Sequence, residues 1–171
     1  AKNIDLKVIG PEKICIVGKN GAGKTTLLKK IKSECQALNL RVGYMPQSYF
    51  EFEKDDINAI EYLADSFIKD NQTKASNLLG SLNFKREEMF RNIADLSGGQ
   101  KVKLFFAKMN LDKAEVLILD EPTRNLSPLS KPEIIGALKY YKGAIIAVSH
   151  DREFIDQVFD KIYNLTCQGL K

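Results

Sequence analysis

Cysteine is scarce in this chain, and its pattern excludes two kinds of small-protein scaffold. The 171 residues hold three cysteines, Cys15, Cys35 and Cys167. The number is odd and no C-x-x-C occurs, so neither a disulfide framework nor a zinc site is indicated; reduced thiols of a cytoplasmic protein are the expectation. Long hydrophobic runs are also missing. The longest apolar stretches, around 116–119 and 144–148, are strand-length, far short of the roughly 18 residues of a membrane helix, so the chain is not expected to span a membrane. Lys2, Asp5 and Lys7 break up the N-terminus, which argues against a signal peptide. Residues 1–17 contain no aromatic side chain, and no internal repeat or low-complexity tract occurs. What remains is ordinary: 44% apolar and 28% charged residues with a net charge of +4, the profile of one globular domain over 1–171. The mild positive charge is compatible with an acidic partner such as RNA without indicating one. The first residue is alanine, which raises the expectation of a piece of a longer protein.

The hydrophobic patterning alternates between two periods. Lys13 to Val17 (K-I-C-I-V) reads as a buried strand after a Gly10-Pro11 turn, and Val42 to Met45 as a short strand ending at Pro46. Between them a glycine-rich loop leads into a helix over about 24–31. Ile57, Ile60, Leu63, Ala64, Phe67 and Ile68 recur at helical spacing, and Leu78, Leu79 and Leu82 suggest a second short helix. A third is expected over 98–111 with Val102, Phe105, Phe106 and Met109 inward. Together these form a helical insertion over about 54–111. The chain then returns to alternation: a strand at 115–119, a helix whose start should be capped by Ser130 with Glu133 completing a capping box, a strand at 144–149, a helix at 151–159 and a last strand at 161–165. Strands alternating with helices imply an α/β fold, a mostly parallel sheet covered on both faces.

Gly18-Lys19-Asn20-Gly21-Ala22-Gly23-Lys24-Thr25 fits G-x-x-x-x-G-K-[ST] without a mismatch, with a strand before and a helix after. Glycines let the backbone curl so that N–H groups at Gly18, Asn20, Gly21, Ala22 and Gly23 point at phosphate oxygens. The helix N-terminus adds partial positive charge. Lys24 reaches the β- and γ-phosphates as a mobile point charge. Thr25 offers a hydroxyl to Mg²⁺, a cation that prefers hard oxygen ligands, and Thr26 can donate to the α-phosphate. A plain glycine-rich turn is the bland alternative. Alone, this loop reads only as a P-loop NTPase, a class that includes kinases, GTPases and motors.

Three further motifs narrow the class. Leu96-Ser97-Gly98-Gly99-Gln100 stands before a helix, a second anion-binding end and equally an N-capped helix. Val116-Leu117-Ile118-Leu119-Asp120-Glu121-Pro122-Thr123 is a hydrophobic strand ending in two carboxylates, with Asp120 twenty residues beyond Gln100. Gln47 follows Tyr44-Met45-Pro46, and His150, the only histidine, follows a buried strand in Val148-Ser149-His150-Asp151. In this order the motifs resemble the ATP-binding cassette (ABC) nucleotide-binding domains, over about residues 13–165. The resemblance implies that Ser97, Gly98, Gly99 and Gln100 are a signature that binds the γ-phosphate of ATP held by a second cassette. It implies that Asp120 holds Mg²⁺ through water together with Thr25 and Gln47. It also implies that Glu121 is the general base, that Gln47 senses Mg²⁺ and the attacking water, and that His150 contacts the γ-phosphate.

Within that superfamily the chain is most similar to the ABC-F group, soluble proteins with two cassettes and no membrane domain, many of which act on the ribosome. Ser149-His150-Asp151-Arg152-Glu153-Phe154-Ile155 and Tyr44-Met45-Pro46-Gln47 carry that likeness. The 49 residues from Gln47 to Leu96 also leave little room for a transporter-coupling subdomain. Two departures stand out. After Glu-Pro-Thr the chain reads Arg124-Asn125-Leu126-Ser127-Pro128, with Ser127 where the group has a D-loop aspartate, and the adenine-stacking aromatic expected upstream of the phosphate loop is missing. The partners implied are a second cassette, in the same chain or as a homodimer, and ribosomal RNA. The alternatives are a membrane-domain partner, which would make this a transporter subunit, and an ATP-gated binding module of very slow turnover.

Overall fold

The computed structural model describes residues 4, 6–48, 57–64, 71–124, 126–166 and 169–170. Expectations resting on Phe67, Ile68, Asn125 and Cys167 lie outside the described residues. The elements in order are β1 (Lys13–Val17), α1 (Lys24–Ala37), β2 (Val42–Met45), α2 (Ala59–Ala64), α3 (Asn71–Ser81), α4 (Arg86–Met89) and a 3₁₀ turn at Ile93–Asp95. They continue with α5 (Gly98–Leu111), β3 (Val116–Asp120), α6 (Lys131–Lys139), β4 (Ala144–Val148), α7 (Arg152–Val158), β5 (Lys161–Thr166) and β6 (Gly169–Leu170).

The strands form one sheet in the order β2-β3-β4-β1-β5-β6, parallel except for the β5–β6 pair. Successive side chains of a strand point to opposite faces, and the central strands obey this with apolar residues on both sides. Ile16, Val116, Ile118, Ile146 and Val148 pack under Leu27, Leu28 and Ile31 of α1. Leu117, Leu119, Ile145 and Ala147 face Val102 and Phe105 of α5, Ile134, Ile135 and Leu138 of α6, and Phe154 and Val158 of α7. Every residue of β3 and β4 is buried, as a strand covered on both faces requires. A third cluster joins Ala59, Ile60, Leu63, Ala75, Leu79, Phe84 and Ile93 to Leu104 and Ala107 of α5. Helix α5 therefore has two apolar sides, one on the sheet and one on the α2–α4 insertion. The inward set expected for it omitted the second side.

The register sets up the site. Ile16 pairs with Val148, and Val148 with Asp120, so β1, β4 and β3 end level with one another at the C-terminal edge of the sheet. In open α/β sheets that edge is where ligands bind.

Two expectations are corrected. Helix α1 runs on past Ile31 to Ala37, because nothing breaks it until Asn39 turns left-handed at φ 59°. The capping box at Ser130 and Glu133 does not form. Ser130 already has helical angles (φ −84°, ψ −25°) and makes no side-chain cap. The cap lies one turn earlier: Ser127 Oγ accepts from Ser130 N at 3.2 Å, with Pro128 supplying the preset φ that favours a helix start. Glu133 is drawn instead to Lys103 Nζ of α5, 2.5 Å away.

Candidate functional site

The loop after β1 is shaped by close approach. A Cβ on Gly18 would lie 2.6 Å from Leu165 O, and Gly23 sits at φ 90° just before α1; neither position suits an L side chain. The loop closes around Lys24, whose buried ammonium donates to Gly18 O (2.8 Å) and Lys19 O (3.0 Å). One residue on, Thr25 Oγ1 donates to Asp120 Oδ2 at 2.7 Å, joining the start of α1 to the end of β3.

Glu121 is held through both its backbone and its carboxylate. Its N–H donates to Val148 O (2.9 Å), extending the β3–β4 ladder by one step. Its backbone then turns left-handed at φ 53°, a conformation that costs on the order of 1–3 kcal/mol for a residue with a side chain and that clusters at functional sites. The turn aims the carboxylate at the loop after β4. Glu121 Oε2 accepts from His150 N at 3.4 Å, and Oε1 lies 3.7 Å from His150 Nε2. Burial pushes the Glu121 carboxyl above its usual value. His150, through its ring and its N–H, pulls it down, Asp120 pushes it further up and Lys24 pulls it down. A carboxylate raised toward neutrality is a better proton acceptor at physiological pH.

These groups line one cleft of about 690 Å³: Asn20, Gly21 and Gly23 from the first loop, Lys24, Thr25 and Thr26 from the start of α1, Gln47 from the turn after β2, Asp120 from the end of β3 with Glu121 and Arg124 just beyond it, and Val148 and His150 from the end of β4 and the loop after it. Gly18 contributes only the carbonyl that holds Lys24, and Ala22 packs on the α1 side of the core. Arg124 was not among the expected site residues. Its signal was its place just beyond Glu-Pro-Thr, where a cation can reach the mouth of an anion site.

Ser97, Gly98, Gly99 and Gln100 do not line this cleft. They begin α5, between the insertion and the sheet. There Ser97 Oγ accepts from Gln100 N (3.3 Å) and Gln100 Oε1 accepts from Ser97 N (2.9 Å), a reciprocal capping box. Gly99 is buried against Ser130, and a Cβ there would fall 2.6 Å from the Ser130 Cβ.

The donor set suits magnesium. Thr25 and the buried carboxylate Asp120 bring hard oxygens to within one hydrogen bond of each other, and Gln47 lines the same cleft. Among the described residues no cluster of three or more His, Cys, Asp or Glu forms a metal cage. One carboxylate and a hydroxyl, completed by substrate phosphates, is the usual habit of Mg²⁺.

Similarity to known proteins agrees with this geometry. The family model described as ABC transporter matches residues 1–124. The probable ATP-binding protein YbiT of Escherichia coli O157:H7 is 34% identical over 175 residues, covering 96% of this chain and 33% of that protein. ABC transporter F family member 2 of Arabidopsis thaliana is 35% identical, covering 97% and 26%. Human ATP-binding cassette sub-family F member 3 is 34% identical, covering 92% and 23%. The chain thus spans a third or less of the length of these curated relatives. A solved dimer of the ATP-binding cassette MJ0796, in a post-hydrolysis state bound to ADP and Pi, superposes with a TM-score of 0.81 at 18% identity, covering 99% of this chain and 88% of that one. The match of the family model over most of the chain, on a P-loop α/β fold, means that this chain belongs to the ABC transporter family, as an ATPase domain of the ATP-binding cassette kind.

Proposed function

We propose that the domain binds Mg-ATP in the cleft at the ends of β1, β3 and β4 and hydrolyses it at an interface with a second ABC domain. The observation that carries this reading is Glu121, strained at φ 53° and held against His150 in the cleft that Lys24 and Thr25 also line. Lys24 and the loop amides bind the β- and γ-phosphates. Magnesium, when bound by Thr25, Asp120 and Gln47, would offset negative charge on the phosphate oxygens. Glu121 accepts a proton from the attacking water, and His150 orients Glu121 and donates toward the γ-phosphate. The residues 97–100 serve the nucleotide of the partner domain, which accounts for their absence from the lining of their own cleft.

The wider role is that of an ABC-F protein working in the cytoplasm on the ribosome, with the second cassette in the same longer chain. Support comes from the ABC-F relatives and from the short path of 49 residues between Gln47 and Leu96. Glu121→Gln in the full-length protein tests the chemistry: glutamine keeps the shape but cannot accept a proton. ATP binding should persist while turnover at this site falls by about 10²–10⁴-fold. With the matching glutamate of the other cassette also replaced, the protein should co-sediment with ribosomes in ATP. Wild-type turnover in Glu121→Gln would sink the hydrolytic role, and free sedimentation of the trapped protein would sink the ribosomal one.

A further inference from the structure

The residues beside Glu121 and His150 form a second, separate connection. Thr123 lies two residues beyond Glu121 and is buried. Its Oγ1 donates to Asp151 Oδ2 at 3.0 Å, and Asp151 is the neighbour of His150. Lys131, at the first position of α6, donates to the same carboxylate, 3.0 Å from Oδ1 and 2.9 Å from Oδ2, and also lies 2.8 Å from Glu153 Oε2. Asp151 Oδ1 further accepts from Phe154 N at 3.3 Å, while Asp151 N donates to the fully buried Ser149 Oγ at 3.1 Å. Burial by itself would push the Asp151 carboxyl up. Hydrogen bonds from Lys131, Thr123 and the Phe154 amide outweigh that and hold it below its usual value. A cap for α7 requires only the Phe154 contact. The other two donors come from different elements, the β3 loop and α6.

We infer that Asp151, clamped by Thr123 and Lys131, is a positioning centre that sets His150 against Glu121 and ties that pair to the Ser127–Ser130 turn at the start of α6. The physical case is one of lever arms. His150 meets Glu121 only through a 3.4 Å hydrogen bond and a 3.7 Å ion-pair distance, both weak by geometry. The Glu121 N–Val148 O ladder bond at 2.9 Å holds the backbones of the two strands in register, and beyond it the Thr123–Asp151–Lys131 set is a shorter and partly buried side-chain connection between the loops that carry Glu121 and His150. Lys131 follows Ser130, whose Oγ lies 3.0 Å from Ser127 Oγ and whose side chain packs on Gly99 of the signature. A shift of the turn at 127–130 is therefore passed through Lys131 to the carboxylate that fixes His150.

The coupling rests on the hydrolysis proposed above, so its test carries a readout that does not need turnover. In the full-length protein, with the other cassette's matching glutamate replaced so that hydrolysis reports this site, Lys131→Gln and Thr123→Val each remove one arm. Each should lower kcat by about 10- to 100-fold, the scale of a small misplacement of reacting groups, with KM for ATP held within about twofold. Lys131→Arg and Thr123→Ser should restore most of the rate. Glu153→Gln removes only the outer partner of Lys131 and should stay near the parent. The His150 ring resonance, identified by its loss in His150→Gln, should move from its parent position in Lys131→Gln and Thr123→Val and return in the conservative variants. A fall in thermal stability with kcat and the ring signal unchanged would mean that Asp151 merely caps α7, and would overturn the inference. A parent without turnover would sink the hydrolytic reading instead, and the ring signal alone would then decide the positioning.

Discussion

Cys15 shows how far a single side chain can be removed from ordinary chemistry by its place in the sheet. It sits in the middle of β1 with no exposed surface. Burial pushes its thiol from 9.0 up to about 12, the Ser149 backbone contact opposes this, and the charge of Glu121 adds to it. At pH 8 the folded protein should therefore leave Cys15 unalkylated by iodoacetamide, with labelling appearing only in denaturant; mass spectrometry of the Cys15 peptide reads this. Full labelling of the native protein would contradict it. The linkage has a definite sign. Between pH 9 and 12 the unfolded thiol loses its proton while the folded one keeps it, so stability falls as pH rises, by up to about 1.4 kcal/mol per unit. Urea titrations should show a steeper alkaline loss for wild type than for Cys15→Ala. At this scale the phosphate loop was legible because phosphate chemistry restricts residue type and spacing, and the other motif residues through their resemblance to ABC domains. Thr123, Lys131 and Arg124 were not, because an ordinary threonine, lysine or arginine acquires its meaning only from what lies across a loop.

Among the elements, the starts of α5 and α6 let two local signals be compared. Serine followed three residues later by glutamine forms a reciprocal box at Ser97 and Gln100, whereas serine followed by glutamate at Ser130 and Glu133 does not. The difference is Ser127-Pro128, which starts the turn earlier and leaves Glu133 free for Lys103 on α5. This packing makes Gly99 sensitive. Gly99→Ala places a methyl in hard contact with Ser130 and should cost about 1–3 kcal/mol in a urea melt, the usual range for overpacking. Combining it with Ser130→Gly opens the space, so the pair should be non-additive by roughly 0.5–3 kcal/mol. Simple additivity would mean that the turn moves away without cost. The apolar periods of α5 and β2 were readable because each buries a regular face, and β4 was readable as a strand-length apolar run buried on both faces. The two-sided burial of α5 was not, since Leu104 and Ala107 face an insertion whose position only folding reveals.

At the level of the whole molecule, the function proposed above makes the site half of a composite. The residues 97–100 lie away from the cleft of their own chain, so turnover per chain by this domain alone should rise with protein concentration as two copies pair. A rate that is fast and independent of dilution would contradict this. Among the described residues His150 supplies the only ring lining the cleft. Base–aromatic stacking is worth about 1–3 kcal/mol, and without it the dissociation constants for ATP, GTP and CTP should agree within about tenfold. A strong preference for adenine in calorimetric titrations would show that another residue supplies the platform.

By itself the sequence determined the α/β class, the P-loop, the order of Lys24, Gln47, the signature, Asp120, Glu121 and His150, and most element bounds. The class and the phosphate loop follow from local periodicity and from residue types that phosphate chemistry demands, while the roles given to Gln47, residues 97–100, Asp120, Glu121 and His150 are what the resemblance to ABC domains implies. Only the tertiary structure decided the strand order and the level ends of β1, β3 and β4, because parallel strands are paired through crossovers whose destinations leave no mark on the strand. Tertiary packing likewise decided the left-handed turn at Glu121, the clamp on Asp151 and the placement of Ser97 outside the cleft. Those features are balances of contacts between segments far apart in the chain, where a strained or charged group is held by neighbours that its own stretch of sequence does not contain.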